Sequence, residues 1–358
     1  MRLIVDAHLD LAWNAMSFNR DLTEPVKQIR ERERAMEDHP ARGKCTVAFG
    51  EMKQGAVGAC VGTLLARAKR DVAPAAGFKR TDLDVGTQEI ASAVARGQMA
   101  YYREMESAGQ VRLITTAGQL KAHCQGWKAE KGVGVILSME GADPIVDPKR
   151  AQWWWEHGLR AVGLVHYGKG HYAMGTGEAG PLTRRGVELL KEFERLGMIV
   201  DLTHCSDESF LEVLDQFGGR VLASHHNSRA LAAHQRQLSD EQFKLLIARG
   251  AVVGVALDSW MLGDGWKRGQ TPRETVTLHT LADHIDHYCQ MAGNCRHVGI
   301  GSDLDGGFGA EQSPAEIDTI ADMQKLEPIL SKRGYSDADI DAVFHGNWLR
   351  FFAEALPA

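Results

Sequence analysis

Residues 198–226 read MIVDLTHCSDESFLEVLDQFGGRVLASHH, and the fold follows from this stretch. An apolar, β-branched run (198–204) ends in His204, a segment of helical period follows (207–217), and a second short apolar run (221–226) ends in His225 and His226. Strand, helix and strand in so short a span make a parallel unit with a right-handed crossover. The alternation extends in both directions. Further strands are expected at 3–8, 57–65, 133–140, 159–166, 251–257 and 298–304, and further helices at 86–107, 183–196, 240–249 and 276–291. Gly197 and Gly250 each stand after a helix and before a strand, where a left-handed residue stops the helix. Eight strand–helix units fit a (β/α)8 TIM barrel, read as a single domain over 1–358. The charged segment 21–55 is an excursion after strand one, and 112–116 is an extra edge or a loop segment. An open doubly wound sheet, the rival, does not explain polar residues at the ends of so many strands.

Hydrophobic residues at 44% and charged residues at 25% are globular values, and 41 Lys+Arg against 47 Asp+Glu leave a net charge of −6. No basic block offers a stripe for phosphates, so no nucleic-acid partner is expected. Apolar runs stay below about ten residues, short of the ~20 that a membrane helix needs. The opening MRLIVDAHLDL has no leader pattern, and the closing FFAEALPA has no lipid-anchor pattern. Six cysteines, at 45, 60, 124, 205, 289 and 295, include no CxxC pair. The expectation is a cytoplasmic protein with reduced thiols.

The ends of the expected strands carry the chemistry. Strand one ends in His8 and Asp10, strand three in Glu140, strand four in His166, strand five in His204, strand six in His225 and His226, and strand eight in Asp303 and Asp305. A barrel brings all these ends to one mouth. His8 and Asp10 are two residues apart, so both leave the strand on one face and can chelate one cation. Glu140 closes a buried-looking run, where an unpaired carboxylate needs a metal or an ion pair. Neighbours on a strand point to opposite faces, so only one of His225 and His226 enters the mouth, and periodicity does not choose between them. Asp303 and Asp305 share a face at different depths, and one of them can be structural. Taken singly, the His-x-Asp step often occurs by chance, Glu140 is also explained by an ion pair, and His204 and His225 are equally explicable as core or capping groups. Taken together, imidazoles and carboxylates suit Zn²⁺, with Mn²⁺, Co²⁺ or Fe²⁺ as substitutes. Two ions about 3.5–4 Å apart, bridged by Glu140 and a hydroxide, use the whole set.

The motifs DAHLDL (6–11), SMEGAD (138–143), LVHYG (164–168), MIVDLTH (198–204), SHHNSRAL (224–231), RQLSDEQ (236–242), GIGSDLDG (299–306) and GNWLRF (346–351) occur in an order that resembles the membrane (renal) dipeptidases, a zinc-dependent branch of the amidohydrolase superfamily. The resemblance implies that His8 and Asp10 hold one zinc, His204 and His225 the other, and that Glu140 bridges them. It selects His225 over His226 and makes Asp303 the catalytic aspartate. It also makes His166 a substrate contact and Arg236 the holder of the substrate's carboxylate. The sequence departs from the family at His226, where serine is common, in the loop 167–177 (YGKGHYAMGTG), and at the run Trp153-Trp154-Trp155, read as helix packing.

The implied reaction is hydrolysis of dipeptides with a free C-terminal carboxylate, tolerant of a D-residue there, by attack of a metal-bridging hydroxide. Asp303 moves the proton, and His166 helps to stabilise the oxyanion. One alternative is another amidohydrolase reaction, on an N-acyl amino acid, a lactone or a phosphoester. A substrate without a carboxylate would leave Arg236 without a task. The other alternative is a non-catalytic metal-binding scaffold, which does not need Asp303. The expected partner is a dipeptide or similar small molecule, with neither nucleic acid nor membrane, and a homodimer is allowed.

Overall fold

In the computed structural model, which describes residues 1–69 and 82–358, the chain forms eight parallel strands. They are β1 (Ile4–Leu9), β2 (Val57–Leu65), β3 (Val133–Glu140), β4 (Leu159–Gly163), β5 (Ile199–Asp201), β6 (Val221–Leu222), β7 (Val253–Val255) and β8 (Val298–Ile300). Their hydrogen-bonded order is 7-8-1-2-3-4-5-6. A parallel bridge between Ala223 and Val253 joins β6 back to β7, with Gly254 N donating to Ala223 O at 2.8 Å. The sheet therefore closes into the expected (β/α)8 barrel.

Helices Gln88–Ser107, Arg184–Leu196, Asp207–Gln216, Asp240–Ala248 and Leu278–Ala292 lie where the sequence places them. Gly197 and Gly250 adopt φ of 74° and 65°, the left-handed stops expected of them. Val111–Leu113 is an extra strand that pairs with Val133–Val135 below the point where β4 joins β3. The ladders are shorter at the mouth than the apolar runs suggested, and β5 and β8 stop at Asp201 and Ile300. The reason is local. His204 (φ 69°) and Asp303 (φ 57°) adopt left-handed conformations, which turn the chain out of the ladder and re-aim these side chains.

Inside the barrel, Val5, Ala7, Ala59, Val61, Ile136, Ala161, Ile199, Leu222 and Val252 share one apolar cluster. Trp348, Phe351 and Phe352 of the C-terminal helix Asn347–Ala355 join it, and Trp348 Nε1 donates to Ile300 O at 2.9 Å. This helix closes the floor. Further along the same strands, the inward positions become Thr63, Glu140 and Asp201, so the interior changes from apolar at the floor to polar at the mouth.

The excursion 21–55 folds back as helices Val26–Glu33 and Phe49–Gln54 and is pinned by buried charge. Asp305 accepts from Thr46 N and Thr46 Oγ1, both at 2.8 Å, and from Val47 N at 3.0 Å. It lies 3.5 Å from Arg20 Nη1, and Arg20 in turn pairs with Glu33 at 2.8 Å. Asp305 is thus the structural member of the SDLD run. Asp305→Asn should lower stability by about 2 kcal/mol, read as a lower urea midpoint, because a carboxylate accepting several donors becomes an amide with one acceptor. An unchanged midpoint would mean that the excursion is held elsewhere. The tryptophan run serves packing: Trp154 is buried, while Arg96 and Arg160 each lie 4.1 Å from the rings of Trp153 and Trp155. Among the described residues, no helix is long and apolar enough to cross a membrane.

Candidate metal centre

The mouth collects His8, Asp10, Glu140, His166, His204, His225 and Asp303 from the strand ends, while His226 and Asp305 stand outside it. Glu140 Oε1 is the hub, 3.2 Å from His204 Nε2, 3.5 Å from His225 Nε2, 3.6 Å from His8 Nε2 and 3.7 Å from His166 Nε2. His8 Nε2 is also 3.8 Å from Asp10 Oδ2 and 3.7 Å from Asp303 Oδ1. Arg236 is buried beside them, its Nη2 donating to His225 O at 3.0 Å and lying 3.4 Å from His204 Nε2.

These spacings can be tested against a cation. Ligand bonds of about 2.1 Å in a tetrahedron put neighbouring donor atoms roughly 3.4 Å apart. The His204–His225–Glu140 triangle has edges of 3.3, 3.5 and 3.2 Å. Among the described residues, three overlapping groups are close enough to hold an ion: His8, Glu140 and His225; Glu140, His166 and His204; His8, Asp10 and Asp303. The outer nitrogens of the imidazoles are engaged. Thr176 Oγ1 lies 2.9 Å from His204 Nδ1, and Ser224 Oγ lies 2.9 Å from His225 Nδ1 and 3.4 Å from His8 Nδ1. With these hydroxyls accepting from Nδ1–H, each Nε2 presents a lone pair inward. His8 Nε2 is buried with no hydrogen-bond partner. Asp10 is steadied by the hydroxyl of Thr63.

Electrostatics agree for His204 and His225. Burial, with Arg236 and neighbouring histidines, drives His204 and His225 well below the ordinary imidazole range, into the neutral form that ligates metal. Burial raises Glu140 and Asp303, and the nearby Asp10 adds to this against the pull of His8. At His8, burial opposes charge, but Glu140 and Asp10 outweigh it and raise the imidazole. Burial outweighs the pull of His8 on both carboxyls, and a divalent ion would favour their charged forms. The donor set fits.

Asp303 reaches the mouth because Gly306 lies beneath it, where an added Cβ would sit 1.9 Å from Asp303 Oδ1. The cavity over the site has a volume of about 210 Å³ and includes Trp13, Arg67, Tyr167, Asp258 and Met261 in its lining. That is smaller than the roughly 300–1,000 Å³ of drug-sized pockets and suits a small ligand. His226 is buried but belongs to none of the metal-capable groups, and its backbone N–H donates to Gly254 O at 2.7 Å.

Several residues of the site escaped the sequence reading. In sequence Ser224 is one serine ahead of a histidine pair, and Thr176 lies in the loop 167–177, where the chain departs from the family. Thr63, Arg67 and Asp258 carried no local signal. Burial pushes the Asp258 carboxyl up to about 7, and it accepts from Gln312 Nε2 at 2.7 Å.

Residues 2–356 match the model of the family described as membrane dipeptidase, peptidase family M19. An uncharacterized protein in the pqqA 5′ region of Klebsiella pneumoniae is 29% identical over 265 residues, 71% of this chain and 93% of that protein. Dipeptidase verJ of Clonostachys rogersoniana is 31% identical over 61% of this chain, and dipeptidase 3 of Macaca fascicularis is 30% identical over 49%. The matched stretches span only 54% and 33% of those two dipeptidases. Among solved structures, the metallo peptidase from Rhodobacter sphaeroides, liganded with a phosphinate mimic of L-Ala-D-Ala, superposes with a TM-score of 0.78 at 22% identity, covering 99% of each chain. At that identity the likeness is one of fold.

Proposed function

The chain belongs to the membrane dipeptidase family, peptidase family M19, and on that premise we propose that it is a metal-dependent dipeptidase acting on short peptides with a free C-terminal carboxylate. The observation that carries this reading is a single carboxylate oxygen, Glu140 Oε1, facing four imidazole nitrogens at 3.2–3.7 Å beside a buried arginine. His8 and Asp10 would hold one zinc ion, His204 and His225 a second, and Glu140 would serve both. The bound ions supply Lewis acidity toward water and the scissile carbonyl.

The remaining residues have separable tasks. Asp303 takes a proton from the attacking water at its carboxylate and returns it to the leaving amine. His166 donates from Nε2 to the carbonyl oxygen as charge builds there. Arg236 holds the substrate's carboxylate; its Nε and Nη1 are buried without partners and available to an anion. Tolerance of a D-residue at the C-terminal position is supported by the L-Ala-D-Ala mimic bound to the Rhodobacter protein. The reading treats 1–358 as one hydrolase domain. A cytoplasmic location is part of the proposal, supported by six cysteines that all stand as free thiols.

The test is a zinc-loaded sample screened against L,L- and L,D-dipeptides, N-acyl amino acids and a lactone, with metal measured on the same sample. Dipeptide turnover with close to two ions per chain is expected. His204→Ala should lose about one ion and keep its fold, because barrel stability resides in the packed interior layers. Turnover of the N-acyl amino acids alone, or no bound ion after loading, would overturn the reading.

A further inference from the structure

His166 differs from the other three imidazoles of the mouth in what touches its outer nitrogen. His204, His225 and His8 each meet a hydroxyl, which can donate or accept. His166 Nδ1 instead lies 3.2 Å from Arg67 Nη1. A guanidinium has donors and no acceptor, so this contact is a hydrogen bond only if His166 Nδ1 is unprotonated and accepts. A neutral imidazole carries one proton, which must then sit on Nε2, 3.7 Å from Glu140 Oε1.

Arg67 is itself fixed. Its Nε and Nη2 pair side-on with Asp84 at 2.7 and 2.9 Å, which leaves Nη1 for His166. Arg67 and Asp84 face each other on a short parallel bridge, Arg67–Ala68 against Asp84–Val85. Ala68 N donates to Asp143 Oδ2 at 2.9 Å, and Asp143 Oδ1 lies 2.9 Å from His171 Nδ1. The segments following β2, β3 and β4 are thereby tied together, and the arginine is aimed by groups that take no part in the reaction.

We propose that Arg67, oriented by Asp84, is a positioning residue that locks His166 in its Nε2–H tautomer, so that His166 offers the mouth a hydrogen-bond donor and not a metal-binding lone pair. This explains how one imidazole can serve the substrate amid a set of ligands. Among the three metal-capable groups, it discounts the one containing His166. The consequence for catalysis rests on the reading of His166 as the oxyanion donor. The tautomer itself does not.

The experiment is nitrogen NMR of the zinc-loaded protein with ¹⁵N-labelled histidine, His166 being identified by the signal missing in His166→Asn. Wild type should show a one-bond N–H coupling at His166 Nε2 and none at Nδ1. Arg67→Met should populate the Nδ1–H tautomer and lower kcat about 10-fold or more while KM and zinc content hold, since an oxyanion donor is lost. Arg67→Lys, which restores a donor-only group, should recover the Nε2–H signal and much of kcat. Asp84→Asn, which leaves Arg67 in place but loosens it, should fall between and serves if Arg67→Met does not fold. An unprotonated Nε2 in wild type, or a wild-type spectrum in Arg67→Met, would overturn the proposal. Wild type with the Nε2–H signal but no dipeptide turnover would sink the dipeptidase reading and leave the Arg67 lock standing.

Discussion

Asp303→Asn should lower kcat by about 10² or more while leaving zinc content and melting temperature near wild type. The magnitude is that of losing a positioned general base, which contributes typically 10²–10⁴-fold. Asparagine keeps the shape of the side chain, so the left-handed backbone at φ 57° and the close packing against Gly306 survive the change. It cannot take the proton of the attacking water. The structure makes the prediction sharper by separating Asp303 from its neighbour two residues on. Asp305 spends its carboxylate on Thr46, Val47 and Arg20, whereas Asp303 Oδ1 faces His8 Nε2 at 3.7 Å in the mouth. Asp305→Asn should therefore lose stability with kcat largely retained, the reverse of Asp303→Asn. If Asp303→Asn turned over at the wild-type rate, the proton would travel by another route. If it lost zinc, Asp303 would be a ligand, as its place in the group with His8 and Asp10 allows.

The barrel was legible because its signals are local. Apolar runs bounded by helical segments, and glycines at Gly197 and Gly250, report backbone preferences that no distant residue needs to complete. The ladder ends at the mouth were not legible. A run such as 198–204 looks like one strand, yet the ladder ends at Asp201 and His204 stands beyond it at φ 69°. That turn serves the site at the expense of backbone preference, and propensity carries no information about it. Within the site, residues on strand ends could be found because the barrel fixes where all strand ends go. Arg67, Asp84 and Thr176 could not, because each reaches its histidine or its partner from a connecting segment whose path is set by tertiary contacts such as that of Ala68 with Asp143. The choice between His225 and His226 needed the family resemblance. The fold then places His225 Nε2 against Glu140, while the His226 backbone joins the barrel closure at Gly254.

Arg236→Ala should cost about 2–5 kcal/mol of transition-state stabilisation on a dipeptide, seen as a fall in kcat/KM of at least about 30-fold, and almost nothing on the corresponding dipeptide amide. The asymmetry follows from burial. Arg236 is only 3% exposed, and of its three guanidinium nitrogens Nε and Nη1 have no partner, while Nη2 donates to the carbonyl oxygen of His225. A buried guanidinium with two free donors offers an anion entering the cavity charge-assisted hydrogen bonds that a neutral group would not match. A dipeptide amide brings no such charge, so wild type should handle it poorly and the variant no worse. One confounding route runs through the metal centre, because Arg236 Nη2 lies 3.4 Å from His204 Nε2. Zinc content must therefore be measured on the same variant. Loss of carboxylate preference with zinc retained assigns the clamp, whereas loss of zinc assigns Arg236 to the support of His204. Arg236→Lys separates the two further. It restores a positive charge but not the planar fork, so it should recover only part of kcat/KM on the dipeptide. Wild type cleaving dipeptide and amide equally well would remove the carboxylate clamp, and with it the argument that this mouth is built for dipeptides in preference to other amides.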